Sequence, residues 1–299
     1  MTAKITERMT AFDDVPTRTL DVAGDGPPIL LLHGFTDSAD SWRPVLEQLA
    51  GMARRAIAVD LPGSGRAAPL GRPALAALDR FTAAFLRAGA AEGRVILAGN
   101  SLGGLLALRA AQRGDLPLLA VAGLGPAGLA YHRRLVTVER WARRLDPILR
   151  IPEHLPVPRS VIRWQAARFY HWRLAERRAD RSLARLYASH LRGVRDLSRI
   201  RSDLLALSAD SRADPLVLDE IRVPVLLIWG ARDRLASLEG APALLDAVPA
   251  SRLVVFGDCG HCPQVQNPAE VGRLLADLPA SAHRGRRTGT QADRQDVKP

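Results

Sequence analysis

Residues 95–104 read VILAGNSLGG and residues 105–113 read LLALRAAQR. The apolar start of the first stretch predicts a buried strand and the second stretch predicts a helix, so a G-x-S-x-G pentapeptide occupies the turn between them. Small residues beside the serine let the chain turn sharply while the hydroxyl projects from the sheet. No lysine follows the glycines, which argues against a phosphate-binding loop. We therefore predict that Ser101 is a nucleophile.

A serine hydroxyl needs a base that removes its proton, and the chain offers seven histidines. His261 lies in the loop GDCGH, directly after the apolar run 253–256. The carboxyl ends of parallel strands meet at one edge of a sheet, which places this loop beside the serine. Five other histidines lie in an Arg-rich segment or near the C terminus, and we interpret them as surface or packing residues. We predict His261 as the general base.

An acid that orients the histidine is expected at the same edge of the sheet. Asp233 ends the motif WGARD, which follows the apolar run 225–229, whereas the run 118–122 leads into GLGP and is followed by no carboxylate. Asp258 lies three residues before His261 and is the second candidate. The order Ser, Asp, His along the chain then agrees with Asp233 as the third member of a triad.

Two backbone amides are predicted to form an oxyanion hole. The Leu102 amide directly follows the nucleophile, at a helix N-terminus that favours negative charge. The Phe35 amide ends the motif LLLHGF, where an early strand terminates. His33 of the same motif is predicted to hold this loop by hydrogen bonds rather than to carry protons.

Short apolar runs alternate with helical patterns along the chain, at residues 28–32, 56–59, 95–98, 118–122, 225–229 and 253–256. Runs that are apolar throughout are typical of a parallel sheet that helices cover on both faces. The alternation of strands and helices predicts an α/β fold.

The alternation stops at residues 129–212, where helical, Arg-rich sequence replaces the apolar runs. We predict a helical cap there, inserted between two parts of an α/β core at residues 1–128 and 213–280. Residues 281–299 are polar and are predicted to form a disordered tail. Helical spacing places Ile162, Gln165 or Ala166, Phe169 and Trp172 on one face of the cap. Asn100, Phe169 and Trp172 are predicted to line the substrate pocket.

The formal net charge of +11 is concentrated in one segment, because residues 131–201 contain 18 Arg and no Lys against six acids. We interpret this segment as a solvated helical surface. Attraction of anionic substrates, or peripheral contact with an anionic membrane, is the alternative. The segment contains no recognised nucleic-acid-binding motif, so no nucleic-acid partner is predicted.

Cys259 and Cys262 are the only cysteines, and no second pair of ligands accompanies them, so neither a metal nor another cofactor is predicted. The first twenty residues contain no signal-peptide core, and no apolar run reaches the roughly 20 residues of a membrane helix. A cytoplasmic protein is therefore expected.

The motifs LLLHGF, AVDLPGSG, GNSLGG, PVLLIWGARD and GDCGHCPQVQNP follow one another as they do in the α/β-hydrolase superfamily. This resemblance covers residues 17–278. It implies the α/β-hydrolase fold, with a mostly parallel central sheet flanked by helices and an inserted helical cap, and it implies the site roles given above. The GNSLGG motif is similar to that of the meta-cleavage product hydrolases, although Cys262 stands where those enzymes usually have Trp.

The favoured hypothesis is a serine hydrolase that cleaves a small carboxylic ester, or a lipid-like acyl ester, through an acyl-enzyme on Ser101. One alternative is hydrolysis of a carbon-carbon bond, as in the meta-cleavage product hydrolases. Another is a ligand receptor on a hydrolase scaffold, because a fold does not fix a function. The sequence indicates neither the identity of the substrate nor an oligomeric state.

Overall fold

A sheet of eight strands occupies the centre of the computed structural model, which describes residues 5–130, 157–170, 181–191 and 193–284. The strands are β1 (Thr6–Phe12), β2 (Val15–Val22), β3 (Asp25–Leu32), β4 (Arg54–Val59), β5 (Val95–Asn100), β6 (Leu118–Leu124), β7 (Val225–Gly230) and β8 (Ser251–Phe256). Their order across the sheet is β1-β2-β4-β3-β5-β6-β7-β8.

The six strands from β4 to β8 across the sheet are parallel, whereas β1 pairs antiparallel with β2, and β2 pairs antiparallel with β4. Each parallel strand contains one of the six apolar runs, so the predicted mostly parallel sheet is confirmed. The centre of the sheet has the register Leu31–Ala98–Ala122–Leu226. This register brings the carboxyl ends of β3, β5, β6 and β7 to one edge.

The hairpin of β1 and β2 is absent from the predicted strands. Most residues of β1 are exposed, so the strand carries no apolar run. The turn between the two strands consists of Asp13 and Asp14, which have φ values of 51° and 57°. Two successive residues with positive φ are typical of a tight hairpin turn, but Asn-Gly and Asp-Gly are the usual sequence signals for it.

Helices cover both faces of the sheet. They are α1 (Arg43–Gly51), α2 (Ala74–Gly89), α3 (Leu102–Arg113), α4 (Arg159–Phe169), α5 (Arg181–Ser189), α6 (Val194–Ala213), α7 (Ala241–Ala247), α8 (Pro263–Gln266) and α9 (Pro268–Arg284). One apolar cluster includes Phe81 of α2 and Leu106 of α3, and the cluster on the opposite face includes Leu46 of α1 and Leu275 of α9. The sheet is therefore enclosed between two cores, as its apolar strands require.

The described part of the segment between β6 and β7 is helical and comprises α4, α5, α6 and a short 3-10 helix. Helix α4 buries Ile162, Ala166 and Tyr170, whereas Phe169 is 45% exposed. Ile162 and Ala166 of the predicted apolar face are buried, whereas its third member, Phe169, is wrong by one position, because the buried residues follow a spacing of four. Trp172 lies outside the described residues.

Helix α9 continues to Arg284, four residues into the predicted tail. The start of the predicted tail is therefore wrong by four residues. The rest of the predicted tail lies outside the described residues.

Candidate active site

Ser101 lies on the turn between β5 and α3 and has an unusual backbone conformation, with φ 53° and ψ −111°. Its amide donates to the Leu124 carbonyl at 3.0 Å, and its carbonyl accepts from the amides of Leu105 and Ala127, each at 3.0 Å. Three backbone hydrogen bonds therefore fix a conformation that a residue with a Cβ rarely adopts.

The glycines beside Ser101 are required by close packing. A Cβ on Gly99 would overlap the carbonyl group of Gly103, and a Cβ on Gly103 would overlap the carbonyl group of Leu32. The backbone of the turn thus passes directly over its own helix and over the end of β3. This packing explains the small residues of the pentapeptide that identified the turn.

His261 and Asp233 form a buried pair. His261 Nδ1 lies 2.8 Å from Asp233 Oδ2, and the two residues are 4% and 6% exposed. Asp233 Oδ1 accepts from the amides of Leu235 and Ala236 at 2.8 and 3.0 Å, which fixes the carboxylate. A carboxylate only accepts, so Nδ1 carries the proton, and Nε2 of the neutral ring is left to act as a base.

Asn100 connects the loop of the histidine to the turn of the serine. Its Nδ2 donates to the carbonyl oxygens of Leu124 and His261 at 3.0 and 2.8 Å. Asn100 is only 2% exposed and directly precedes Ser101. The structure therefore places this predicted pocket residue inside the wall of the site, where it holds His261 beside Ser101.

The loop that follows β3 passes the serine closely. A Cβ on Gly34 would lie 3.4 Å from Ser101 Cβ. The Leu61 amide donates to His33 Nε2 at 2.8 Å, so Nδ1 of His33 carries the ring proton and donates to the Gly34 carbonyl at 2.7 Å. The prediction that His33 holds this loop by hydrogen bonds is confirmed. Burial lowers the pKa of His33, which keeps the ring neutral in this role.

The two amides predicted for an oxyanion hole lie on either side of Ser101. Leu102 is the first residue of α3 and is 9% exposed. Phe35 belongs to the peptide unit whose carbonyl His33 holds. In a trans peptide the N–H points away from the C=O, so the hydrogen bond of His33 also fixes the direction of the Phe35 amide.

A buried ionic network supports this loop and was not recognised in the sequence. The Arg18 guanidinium contacts Asp60 at 2.9 Å and Asp40 at 2.6 Å. Asp60 also accepts from the amides of Ala39 and Arg66, at 2.8 and 2.9 Å. Arg18 lies in a polar strand and Asp60 in a turn motif, so no local pattern connects them. The network joins β2 to the loops after β3 and β4.

Asp37 is a buried carboxyl group in the same loop. It is 6% exposed, and its Oδ1 accepts from the Ser38 amide at 2.9 Å. Burial raises the pKa of Asp37 to about 7, because a desolvated carboxylate is disfavoured.

The pKa of Asp40 shifts the other way. Burial alone would raise it, but hydrogen bonds with His190, Arg18 and Arg43 lower it well below its usual range.

The loop after β3, residues 33–38, carries the Phe35 amide and is called the oxyanion loop below. A cavity of about 420 Å³ opens beside it and is lined in part by Phe35, Thr36 and Leu102. Its other walls come from the loop after β4, from α2 and from the inserted helices. They combine polar and charged residues with apolar ones, among them Leu61, Leu70, Leu78, Leu191, Ile200 and Leu207. Of the predicted pocket residues, Phe169 and Asn100 do not line this cavity, and Trp172 lies outside the described residues.

The charged residues in the cavity wall are paired. Arg199 lies 3.6 Å from Asp196 and 3.7 Å from Asp203, and it donates to the Gly63 carbonyl. Arg72, behind the wall, binds Asp203 at 2.6 Å. This arrangement leaves the wall close to electrically neutral, despite the basic composition of the insertion.

The described helices of the insertion rest on the loop after His261. Tyr170, which directly follows α4, and Tyr187 of α5 belong to one apolar cluster with Cys262 and Val265. Cys259 and Cys262 are both buried as free thiols, and burial raises the pKa of Cys262 well above its usual value. Within the described ranges, no three His, Cys, Asp or Glu side chains are grouped as metal ligands. Nor does a helix in that part of the chain have the length and apolarity to cross a bilayer.

Comparison with known proteins agrees with this architecture. Residues 29–274 match the alpha/beta hydrolase family. A pimeloyl-[acyl-carrier protein] methyl ester esterase of Nitrosomonas europaea is 29% identical over 264 residues, which cover 84% of this chain and 95% of that protein. A 2-hydroxy-6-oxononadienedioate/2-hydroxy-6-oxononatrienedioate hydrolase of Pseudomonas putida is 26% identical over 276 residues, which cover 86% of this chain and 89% of that protein.

Among solved structures, a 2-hydroxy-6-oxo-6-phenylhexa-2,4-dienoate hydrolase from a Rhodococcus species superposes with a TM-score of 0.73 at 20% identity. The match covers 92% of this chain and 99% of that one, and it confirms the predicted fold. The chain therefore belongs to the alpha/beta hydrolase family and is a hydrolase.

Proposed function

We propose that this chain is a serine hydrolase that cleaves carboxylic esters through an acyl-enzyme on Ser101. The observation that carries the proposal is the buried His261–Asp233 hydrogen bond of 2.8 Å, in a loop that Asn100 joins to the strained turn of Ser101. The methyl ester esterase of Nitrosomonas europaea supports an ester as the substrate class.

The arrangement supports a two-step reaction. In the first step, Ser101 Oγ attacks the ester carbonyl carbon while His261 Nε2 takes the hydroxyl proton, and the negative charge on the carbonyl oxygen is bound by the Phe35 and Leu102 amides. The carbon–oxygen bond then breaks, and the imidazolium gives its proton to the leaving alcohol. In the second step, His261 takes a proton from water and the hydroxide adds to the acyl carbon. The bond to Ser101 Oγ then breaks, the imidazolium returns its proton to Oγ, and the carboxylic acid is released.

The cavity beside the oxyanion loop favours an uncharged, aliphatic acyl or alkyl group. Its volume of about 420 Å³ lies within the range of small-molecule sites, and leucine and isoleucine side chains form much of the apolar part of its wall. An anionic group would need an unpaired cation there, but the Arg199 side chain is shared between two carboxylates. The inserted helices that form one wall act, in this proposal, as the cap that selects the substrate.

Hydrolysis of a carbon-carbon bond is the second candidate, favoured by the dienedioate hydrolase of Pseudomonas putida among the relatives. Two features favour the ester instead. Cys262 is 2% exposed and packs beneath the inserted helices, so it offers no group to a substrate. The paired charges of the cavity also suit a neutral ester better than a dicarboxylate.

Labelling with a fluorophosphonate tests the nucleophile directly. Ser101→Ala is expected to abolish covalent labelling and ester turnover, whereas Ser64→Ala, a serine in the cavity wall, is expected to label at full stoichiometry. Full labelling of the Ser101→Ala protein would contradict the proposal. The substrate class is then tested with matched neutral and anionic aryl esters and with a dienoate ring-fission product. We expect the largest kcat/KM for the neutral ester, with little dependence on salt.

A further inference from the structure

A side-chain hydrogen bond joins helix α5 of the insertion to the oxyanion loop. The Tyr187 hydroxyl lies 2.9 Å from Thr36 Oγ1. Tyr187 is 7% exposed, and its ring packs against Tyr170 with centroids 4.8 Å apart. Burial raises the pKa of Tyr187 to about 12, so the phenol stays protonated at neutral pH. A fixed, neutral side chain thus holds the residue that follows Phe35.

Thr36 has a backbone conformation that its side chain disfavours. Its φ is 64°, in the left-handed region where a β-branched residue is a rare outlier. The Asp37 amide donates to the Gly34 carbonyl at 3.2 Å, so Thr36 is the third residue of a four-residue turn. Glycine or asparagine usually occupies such a position when φ is positive. Threonine there persists only where its surroundings impose the conformation.

We propose that Tyr187 is a positioning residue, which keeps Thr36 left-handed, so that the Asp37 amide reaches the Gly34 carbonyl and, together with His33, orients the peptide unit that carries the Phe35 amide of the oxyanion hole. This inference rests on the proposed function, because it takes the Phe35 amide as an oxyanion donor. Thr36 and Phe35 line the same cavity as Leu191, which lies just after α5. A bound acyl group therefore contacts both sides of the hydrogen bond, and the insertion takes part in transition-state binding as well as in substrate selection.

Two conservative variants remove the hydrogen bond from either side. Tyr187→Phe keeps the ring, and Thr36→Val keeps the β-branched shape. Each is expected to lower kcat about tenfold with KM nearly unchanged, which is less than the 10²–10³ lost when an oxyanion donor is removed. The double variant is expected to lose about tenfold and not about a hundredfold, because both substitutions remove the same interaction.

The Thr36→Gly substitution tests whether Tyr187 acts by positioning the backbone of residue 36 or only by packing. Because glycine adopts positive φ without a steric cost, Thr36→Gly in the Tyr187→Phe background is expected to restore most of the lost kcat. Tyr170→Phe is the matched control, since it removes a hydroxyl from the same aromatic pair but leaves the Thr36 bond in place. The control is expected to keep kcat.

A transition-state analogue gives a second readout. A trifluoromethyl ketone binds Ser101 as an oxyanion, so its inhibition constant is expected to rise with the loss of kcat, while Tm stays within a few degrees of the parent protein. Three results would each overturn the proposed coupling between Tyr187 and the Phe35 amide. They are wild-type kcat in Tyr187→Phe, multiplicative losses in the double variant, and no recovery of kcat with glycine at position 36. Turnover by Ser101→Ala would instead overturn the proposed function, and it is measured in the same series.

Discussion

Two residues of the site, Ser101 and Thr36, have positive φ although neither is glycine. Each such residue costs on the order of 1–3 kcal/mol, so a folded protein keeps it only where neighbouring groups over-determine the backbone. Three main-chain hydrogen bonds hold Ser101, whereas the side chain of Tyr187 holds Thr36. The nucleophile is thus fixed by the sheet and its helix, whereas the oxyanion loop is held both by His33 and by a residue from the insertion.

Asp233→Asn tests the role of the acid. The amide keeps an oxygen for the Leu235 and Ala236 amides, but its NH₂ group no longer accepts the His261 Nδ1 proton, so the ring is held in the wrong tautomer. We expect an intact fold and a kcat reduced by about 10⁴, as in the serine protease precedent. Asp258→Asn is the control. Normal turnover by Asp233→Asn together with an inactive Asp258→Asn would transfer the role to Asp258.

Asp37 predicts a dependence of stability on pH. Its pKa is about 7 in the folded protein against an ordinary value of 3.8, so the unfolded chain loses this proton at a lower pH than the folded protein does. The free energy of unfolding should therefore fall as the pH rises from about 4 to 7, by up to about 4 kcal/mol at 1.36 kcal/mol per pKa unit. Asp37→Asn cannot ionise and should escape this loss.

Urea denaturation at a series of pH values measures this effect. The stability of Asp37→Asn relative to the parent protein is expected to increase through that window and to level off above it. Titration of His33 is common to both proteins and cancels in the difference. Asp25→Asn, at an exposed acid, is expected to give a flat difference. A flat difference for Asp37→Asn as well would mean that Asp37 is ionised in the folded protein at low pH.

The residues of the proposed triad could be predicted because their types and their positions after strands are both visible in the sequence. Tyr187 and Arg18 could not, since their partners lie 151 and 42 residues away and no local pattern connects them. Asn100 was placed in the right region but in a different environment, because sequence does not reveal which way a side chain next to a turn points. Phe169 was displaced by Tyr170, one position along the helix.

At the level of elements, the site depends on how closely β5, α3 and the end of β3 approach one another. Gly99 lies against Gly103, and Gly103 lies against the carbonyl groups of Leu32 and His33. This contact sets the distance between the nucleophile turn and the oxyanion loop. A side chain at either glycine would therefore separate Ser101 from Phe35.

Gly103→Ala tests this contact. A Cβ at that position would lie 2.8 Å from the His33 carbonyl oxygen and would overlap Leu32, so either α3 or β3 must move. We expect the free energy of unfolding to fall by about 1–3 kcal/mol, as for overpacked cores, and kcat to fall more steeply than stability. In Gly51→Ala, where no atom lies within 4 Å of the new Cβ, stability is expected to stay equal or rise. Equal effects of the two substitutions would show that the close approach is not required.

The parallel strands could be predicted because each is apolar on both faces, whereas the β1–β2 hairpin could not, because its outer strand is exposed. The same reasoning applies to the insertion. Its helices are amphipathic and recognisable, but their packing depends on Cys262 and Val265, which lie far away in the sequence. The local sequence thus indicates whether a segment is a helix or a strand, whereas the position of that segment depends on contacts with residues far away in the sequence.

For the whole molecule, the distribution of charge is more informative than its total. Several acids near the site form ion pairs with arginines, as in the Arg18 network and the Arg199 pairs. Helix α4 differs, since Arg159–Phe169 contains three arginines and no acid. Its exposed side carries Val161 and Trp164 opposite the buried face, Phe169 is exposed at the border of that face, and Val157 is exposed just before the helix. The Arg168 guanidinium lies 5.7 Å from the centroid of the Trp164 ring.

Such a combination of exposed tryptophan, aliphatic residues and arginine on one helix is typical of helices that lie at a lipid interface. We therefore predict that α4 binds anionic membrane surfaces, at about 1 kcal/mol for each basic residue near the lipid. The full chain is expected to co-sediment with vesicles that contain phosphatidylglycerol, more weakly at high salt, and to remain in solution with pure phosphatidylcholine.

Trp164→Ala isolates the contribution of this helix, because Trp164 is 60% exposed and its removal is expected to leave the core intact. Leu204→Ala, at an equally apolar side chain that is 47% exposed on α6, is the matched control. We expect the first variant to lose most vesicle binding and the second to retain it, with ester turnover in solution unchanged in both. Equal binding to neutral and anionic vesicles, or equal losses in the two variants, would contradict this prediction. Neither charge nor the exposed tryptophan would then select the lipid, and the arginines of the insertion would form only a solvated surface.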